Sequence, residues 1–308
     1  MQQGTVVRST GSWYEVRDKE GEVYRCRLRG KFKLKELKVT NPIAVGDWVR
    51  YIIEDPQENT GLITDILPRD NYIVRKSVHK TGHGHLIATN LDQALILATL
   101  VLPRTSLGFI DRFLVSAETF RIPAIIIFNK LDLLDEELIA YQDALMEAYE
   151  QIGYPCLAIS ALEDESLDEL KALLANKTTL ISGHSGVGKS SLINTLVPDL
   201  SLRTSEISSF ANKGVHTTTF AEMFEIAPDT FLIDTPGIKE LGLVDIEASE
   251  LSHYFPEMRQ LLGQCKFHDC QHVHEPKCAI IEAVKREEIA LFRYENYLSM
   301  LADYDNRR

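Results

Sequence analysis

Three short clusters of residues in this chain are spaced to do phosphate and purine chemistry. Gly183-His184-Ser185-Gly186-Val187-Gly188-Lys189-Ser190 follows the apolar run Thr179-Leu180-Ile181 and opens a helix at Ser191-Leu192-Ile193. A glycine-rich turn between strand and helix lets backbone N–H groups wrap a phosphate where the helix dipole favours an anion. Lys189 is then placed to reach β- and γ-phosphates, and Ser190 to ligate magnesium. Asp234-Thr235-Pro236-Gly237 ends a second apolar run, Phe231-Leu232-Ile233. There Asp234 would hold magnesium through water, and the Gly237 amide would sense the γ-phosphate. Asn129-Lys130-Leu131-Asp132 follows Ile125-Ile126-Ile127-Phe128. Asp132 can accept from guanine N1–H and the exocyclic amine, which adenine does not offer. A site built on buried hydrogen bonds rejects the analogue that leaves them unpaired. Ser160-Ala161, after the apolar residues 156–159, is placed to present backbone to guanine O6.

Gly214-Val215-His216-Thr217-Thr218-Thr219 lies between the phosphate-loop helix and Asp234, where a first switch segment belongs. One of its threonines would complete the magnesium shell; the spacing does not choose among them, and Thr218 stands as the candidate. The expected catalytic set is therefore Lys189, Ser190, Thr218, Asp234 and Gly237. Ile238 sits just after Asp-x-x-Gly, where many GTPases carry a glutamine that orients the attacking water. An apolar side chain cannot do this, so slow intrinsic hydrolysis is expected unless another group positions the water. The order along the chain is base reader, phosphate loop, switch I, switch II, whereas an ordinary GTPase starts with the phosphate loop. Such an order is a circular permutation, and it runs the chain from switch II straight into the C-terminal part.

Two further clusters stand outside the nucleotide motifs. Cys265-x4-Cys270-x-His272-x5-Cys278 offers three thiolates and an imidazole, the closed tetrahedral set of a structural zinc site, one ion per chain. His268 and His274 are rival fourth ligands, and three free thiols are the alternative. Cys26 and Cys156 are isolated, and no disulfide framework is indicated. Near the N-terminus, Arg25, Arg27, Arg29, Lys31, Lys33 and Lys35 occupy six consecutive odd positions. On extended chain all six share one face. A solvated face is one reading; contact with nucleic-acid phosphates is the other.

The elements that must carry these groups fall into three stretches of the 308 residues. Residues 1–70 hold five short alternating segments without helical periodicity, the pattern of a small barrel, with the oligonucleotide-binding (OB) fold the leading candidate. Residues 74–90 read as a polar linker. From about residue 92, near-continuous apolar runs alternate with helical stretches at 136–150 and 167–174, which implies a parallel α/β sheet buried on both faces. After Gly242 the pattern is helical, ending in one helix from Cys278 to about Ala302. The expected architecture is an OB-fold barrel (1–72), a circularly permuted α/β P-loop domain (73–243) and a helical zinc-binding module (244–308). The net charge is −12, yet residues 1–90 hold 15 Lys+Arg against 11 Asp+Glu. This asymmetry points to an anionic partner for the barrel. Neither a secretory leader nor an apolar run near the ~20 residues of a membrane span is evident. A cytoplasmic monomer without membrane contact is expected.

Taken together, these residues resemble the circularly permuted GTPases that depend on the small ribosomal subunit (RsgA, also called YjeQ). The resemblance spans almost the whole chain: basic barrel, permuted nucleotide domain and a zinc module with this ligand spacing. It maps onto Asn129, Lys130, Leu131 and Asp132, onto Gly183 through Ser191, onto the switch segments, and onto Cys265, Cys270, His272 and Cys278. One departure is Val215, where a basic residue is common. The resemblance implies a GTP hydrolase acting on a phosphoric anhydride, with magnesium bound alongside GTP. It also implies stimulation by the 30S subunit late in its maturation, and binding to 16S rRNA. A permuted GTPase of large-subunit assembly and a non-enzymatic zinc RNA-binding protein are the competing classes.

Overall fold

Alternation of buried and exposed residues builds the N-terminal barrel from β1 (Gln2–Ser9), β2 (Tyr14–Asp18), β3 (Val23–Leu28), β4 (Trp48–Asp55) and β5 (Thr60–Ile66). The computed structural model describes residues 1–30, 39, 41–76, 84–162, 167–197, 221–234 and 246–305. The strands run in the order β1-β2-β3-β5-β4, and β4 returns to pair with β1, so the barrel closes. Closure removes the free edges that a small sheet would otherwise expose. Inside it, Val6, Val16, Cys26, Val49, Tyr51 and Ile63 are fully buried. Burial, with a smaller push from Glu54, raises the Cys26 thiol to about 12, which suits a packing residue and not a reactive one.

The stretch read as a polar linker is in part a hairpin. β6 (Tyr72–Lys76) pairs antiparallel with β7 (Gly84–Thr89). Its apolar residues Ile73, Val74, Leu86 and Ala88 are buried, and the hairpin tethers the barrel through bridges from Val39 and Val45. The charged residues around these few apolar positions mask the strand pattern.

The central sheet follows: β8 (Gln93–Ala98), α1 (Leu107–Thr119), β9 (Ala124–Phe128), α2 (Glu136–Ile152), β10 (Cys156–Ala158), α3 (Asp168–Leu174), β11 (Thr178–Ser182), α4 (Lys189–Leu196), β12 (Glu222–Ala227) and β13 (Thr230–Asp234). Its order is β10-β9-β8-β11-β13-β12, parallel except for β12, which then meets β1 of the barrel. Successive side chains of a strand point to opposite faces. Ala94, Ile96 and Ala98 therefore pack with residues of α1 and α2, while Leu95 and Leu97 pack with residues of α3 and α4.

Beyond the sheet lie a 3₁₀ run at Ala248–Tyr254, α5 (Pro256–Arg259), α6 (Ala279–Lys285) and α7 (Leu291–Asp305). The single final helix expected from the sequence is two helices. Glu287 takes φ +60°, Glu288 N–H reaches back to Ala283 O at 3.0 Å, and Ile289 turns into the module core. No glycine or proline marks this break, so helical periodicity ran straight through it. Among the described residues, no helix is long and apolar enough to cross a membrane.

Candidate functional site

All five parallel strands of the central sheet end at the same edge, the usual ligand edge of such a sheet. The loops after β8, β9, β10 and β11, and the end of β13, gather there. In the phosphate loop, Gly183 passes so close to β8 that a Cβ would stand 2.4 Å from Leu97 O. At Gly188 (φ +102°) a Cβ would lie 2.4 Å from Asn129 Nδ2, so the loop depends on glycine at both points. Val187 is buried and pins the loop to the core, while Ser185 and Gly186 are exposed at its crest. Ser190 and Ser191 occupy the first turn of α4.

Asn129 holds the two halves of the site together. Its Nδ2 donates to Val187 O at 2.7 Å, and its Oδ1 accepts from Ala161 N–H at 2.9 Å. Thr195 Oγ1 on α4 adds a second tie by donating to Ala161 O at 2.8 Å. The base-side loop and the phosphate loop, far apart in sequence, thus become one unit. Lys130 adopts a left-handed conformation (φ 69°, ψ 40°), and its ammonium donates to Leu102 O. A non-glycine residue there is strained, as is common at ligand sites. The exposed Asp132 carboxylate accepts from Ser160 Oγ at 2.8 Å, which restrains it.

Lys189 lies across the mouth of the loop, donating to Gly183 O at 2.6 Å and His184 O at 2.9 Å. Burial lowers the pKa of its ammonium, and Asp234 partly offsets this. A phosphate entering the loop would add negative charge beside this ammonium and favour its charged form. Asp234 is buried at the end of β13, beside the phosphate-loop strand. Ser190 opens α4 next to Lys189, and a serine hydroxyl and a carboxylate such as that of Asp234 are oxygen donors of the kind magnesium takes. Thr218, Gly237, Ile238 and the segment 214–219 lie outside the described residues.

In the C-terminal module the ligand atoms of Cys265, Cys270, His272 and Cys278 all lie within 4.8 Å of one another. Cys265 Sγ stands 3.8 Å from Cys278 Sγ and 3.6 Å from His272 Nδ1, with Cys278 Sγ 3.3 Å from that nitrogen. A zinc tetrahedron with ~2.3 Å Zn–S bonds has sulfur–sulfur edges of roughly 3.8 Å, so the set fits zinc. His268 and His274 are exposed and stand outside this cluster, whose imidazole is that of His272. Burial raises the Cys270 thiol to about 12 and lowers the His272 pKa. Zinc entering must therefore displace thiol protons. Around the cluster, Tyr294 OH donates to His272 O at 2.6 Å and Tyr297 OH to Gln271 O at 2.7 Å.

On the barrel, Arg25, Arg27 and Arg29 are exposed while the intervening Cys26 is buried, so the three share the outer face. Lys31, Lys33 and Lys35 lie outside the described residues. A group that the sequence pattern did not single out joins them: the Arg25 guanidinium covers the Trp13 ring at 4.4 Å, with Arg27 at 5.6 Å. Only the register of β2 against β3, which pairs Tyr14 with Cys26, brings Trp13 to that place. Phe109 also escaped the motifs; its ring stacks on the His184 imidazole at 3.8 Å and 27°.

A family model described as RsgA GTPase matches residues 66–244, and one described as RsgA N-terminal domain matches residues 3–63. The chain belongs to the RsgA GTPase family. It is 53% identical over 305 residues to the small ribosomal subunit biogenesis GTPase RsgA of Cytophaga hutchinsonii, covering 99% of each chain. It is 49% identical over 300 residues to the protein of that name from Bacteroides fragilis, covering 97% of this chain and 96% of the relative. Among solved structures it is similar to YjeQ from Thermotoga maritima, with TM-score 0.79, 38% identity and coverage of 100% and 99%. YloQ, described as a circularly permuted GTPase, gives TM-score 0.75 and 31% identity, with coverage of 100% and 96%. As an RsgA-family GTPase the chain is a GTP hydrolase. The family explains why the strand after the base reader precedes the phosphate loop in sequence yet shares its sheet.

Proposed function

We propose that this GTPase acts in biogenesis of the small ribosomal subunit, binding the 30S particle late in its maturation through 16S rRNA. It works as a cytoplasmic monomer with working units 1–72, 73–243 and 244–308. The observation that supports this best is the pairing of one composite nucleotide edge with near-full-length similarity to proteins named for that role. Asp132, held by Ser160, reads the guanine, and the Ala161 backbone closes the base side. The amides of the phosphate loop and the Lys189 ammonium neutralise the β- and γ-phosphates. Ser190, Thr218 and Asp234 are the residues that would hold magnesium, which supplies charge neutralisation between those phosphates. Gly237 senses the γ-phosphate.

Because Ile238 cannot orient water, basal turnover is slow and the bound subunit completes the site by ordering the switches. The barrel contributes Arg25, Arg27 and Arg29 to rRNA phosphates, and the Trp13–Arg25 stack offers a planar surface to an unpaired base. The test is GTP turnover with and without purified 30S subunits, for the wild type and for Arg25→Ala with Arg27→Ala. Wild-type turnover should rise by at least about ten-fold with the subunit. The barrel variant should keep basal turnover but need more subunit and show a shallower salt dependence. Equal turnover with and without the subunit would overturn the proposal.

A further inference from the structure

Helix α1 touches both the phosphate loop and the C-terminal module, and no nucleotide motif lies on it. At its start Phe109 stacks on His184 of the phosphate loop. Two residues on, the fully buried Asp111 accepts from Arg293 Nη1 at 2.6 Å, Asn296 Nδ2 at 2.6 Å and Tyr149 OH at 2.9 Å. Arg293, equally buried, closes a two-pronged pair on Glu257 at 2.7 and 3.2 Å. Burial opposes its charge, but Asp111 and Glu257 hold the guanidinium protonated. Farther along, Val115 belongs to the module's own core, and Arg112 and Glu118 pair with Asp303 and Arg259. Near the helix start a Cβ on Gly108 would meet Asn296 Oδ1 at 3.3 Å, so α7 approaches closely there too.

We propose that Phe109 is a positioning residue for the phosphate loop, and that α1 conveys the placement of the zinc module to it. A buried carboxylate that takes one hydrogen bond on each oxygen from α7, from Arg293 and Asn296, tolerates little displacement in a dry setting. A shift of α7 must therefore either break the Asp111 network or carry α1 with it. The Phe109 ring then moves the His184 end of the loop, whose carbonyl also receives the Lys189 ammonium. This route runs from module to phosphates without using switch II. It rests on the reading of residues 183–191 as the phosphate loop, and on no ribosomal partner.

The experiment measures GTP affinity and basal turnover for the zinc-loaded full chain and its Phe109→Ala, Phe109→Tyr, Arg293→Lys and double Phe109→Ala/Arg293→Lys variants. Losing the stack should weaken GTP binding about two- to ten-fold, and Phe109→Tyr should restore it. Arg293→Lys keeps the charge but cannot hold Glu257 and reach Asp111 at once as the guanidinium does, and should weaken GTP binding with zinc content unchanged. In the Phe109→Ala background it should add no further loss in GTP affinity, because the link is already cut. Asn296→Ala replaces Arg293→Lys if that variant loses zinc. An Arg293→Lys effect that persists in full without Phe109, or GTP affinity unmoved by Phe109→Ala, overturns the proposal. Lys189→Ala is the separate control: unchanged GTP affinity there would remove the phosphate-loop reading itself.

Discussion

The barrel meets the central sheet mainly through backbone, whereas the zinc module meets it mainly through side chains. At the barrel joint, β1 pairs with β12 at Arg8 and Glu222, and on the intervening β6–β7 hairpin Thr89 N–H donates to Val45 O at 3.0 Å. The side chains that cross this joint are partly solvated, as in the Arg17–Glu225 pair at 27% and 38% exposure. At the module joint, Arg293 and Asp111 are both 0% exposed. Backbone pairing is indifferent to most substitutions, while a dry charged network depends on each member. The difference suggests two tasks. A backbone joint leaves the barrel surface free to be basic, and a side-chain joint makes the module's position a property that the nucleotide domain can read.

The largest expected effect tests the module joint. Arg293→Ala leaves the buried Asp111 and Glu257 without their shared cation. Breaking one partner of a buried pair costs about 3–5 kcal/mol, because the stranded charge is uncompensated. Denaturant unfolding followed by tyrosine signal should show this loss. A cost under ~1 kcal/mol would mean that the joint is hydrated and the contrast with the barrel false.

That network also marks where sequence reading ends. The motifs at Asn129, Gly183 and Asp234 were legible because nucleotide chemistry demands fixed residue types at fixed spacing. The five barrel strands were legible because their alternation follows the period of a pleated strand. Arg293 was not, since an arginine in an amphipathic helix reads as a surface residue, and its partner Asp111 lies 182 residues away. The role of Asn129 as a clasp was equally hidden: the motif names it, but Val187 and Ala161 become its partners only through the strand order. The β6–β7 hairpin escaped because its few apolar residues are set among polar and charged ones, and the break at Glu287 because no glycine or proline marks it. Tertiary packing at Ile73, Leu86 and Ile289 decides them instead.

Among the described residues, the barrel unit holds a buried charge pair of its own, and it sharpens the comparison. Arg69, on the segment leaving β5, donates to both oxygens of the fully buried Asp47 at 2.6 and 2.7 Å. Asp47 also accepts from Ala44 N–H at 2.9 Å, so it keeps a partner when Arg69 is lost. Arg69→Ala strands one carboxylate where Arg293→Ala strands two, Asp111 and Glu257, so it should cost less, about 2–3 kcal/mol by thermal or denaturant unfolding. A larger cost than that of Arg293→Ala would reverse the ranking of the two joints.

Acid should separate the regions further. Burial disfavours the Glu275 carboxylate, yet N–H groups of Gln271, His274 and Val273 hold it down to about 2, from an ordinary 4.5. A depressed carboxylate contributes stability that is complete above its unfolded pKa and is lost as pH falls through the folded one. Glu275→Gln should thus destabilise the module by about 1 kcal/mol at neutral pH, after discounting for its partial exposure. The gap from wild type should be constant above about pH 5 and close toward pH 2. Comparing two proteins that carry the same zinc ligands cancels proton uptake by the cluster. A gap independent of pH would assign the loss to packing.

The smallest effect completes the test from the barrel side. Arg17 reaches Glu225 at 2.5 Å and lies 5.5 Å from the Phe231 ring centre, so its geometry is as good as that of the buried pair. What differs is solvent. Water already satisfies much of each charge, so a double-mutant cycle on Arg17→Ala and Glu225→Ala should give a coupling of only about 0.2–1 kcal/mol. Raising salt to ~1 M shortens the screening length to about 3 Å and should shrink the coupling further. A salt-insensitive coupling above ~2 kcal/mol would show that the pair is as dry as Arg293–Asp111. The barrel would then be bound as rigidly as the module, and the nucleotide domain would have two side-chain joints to read instead of one.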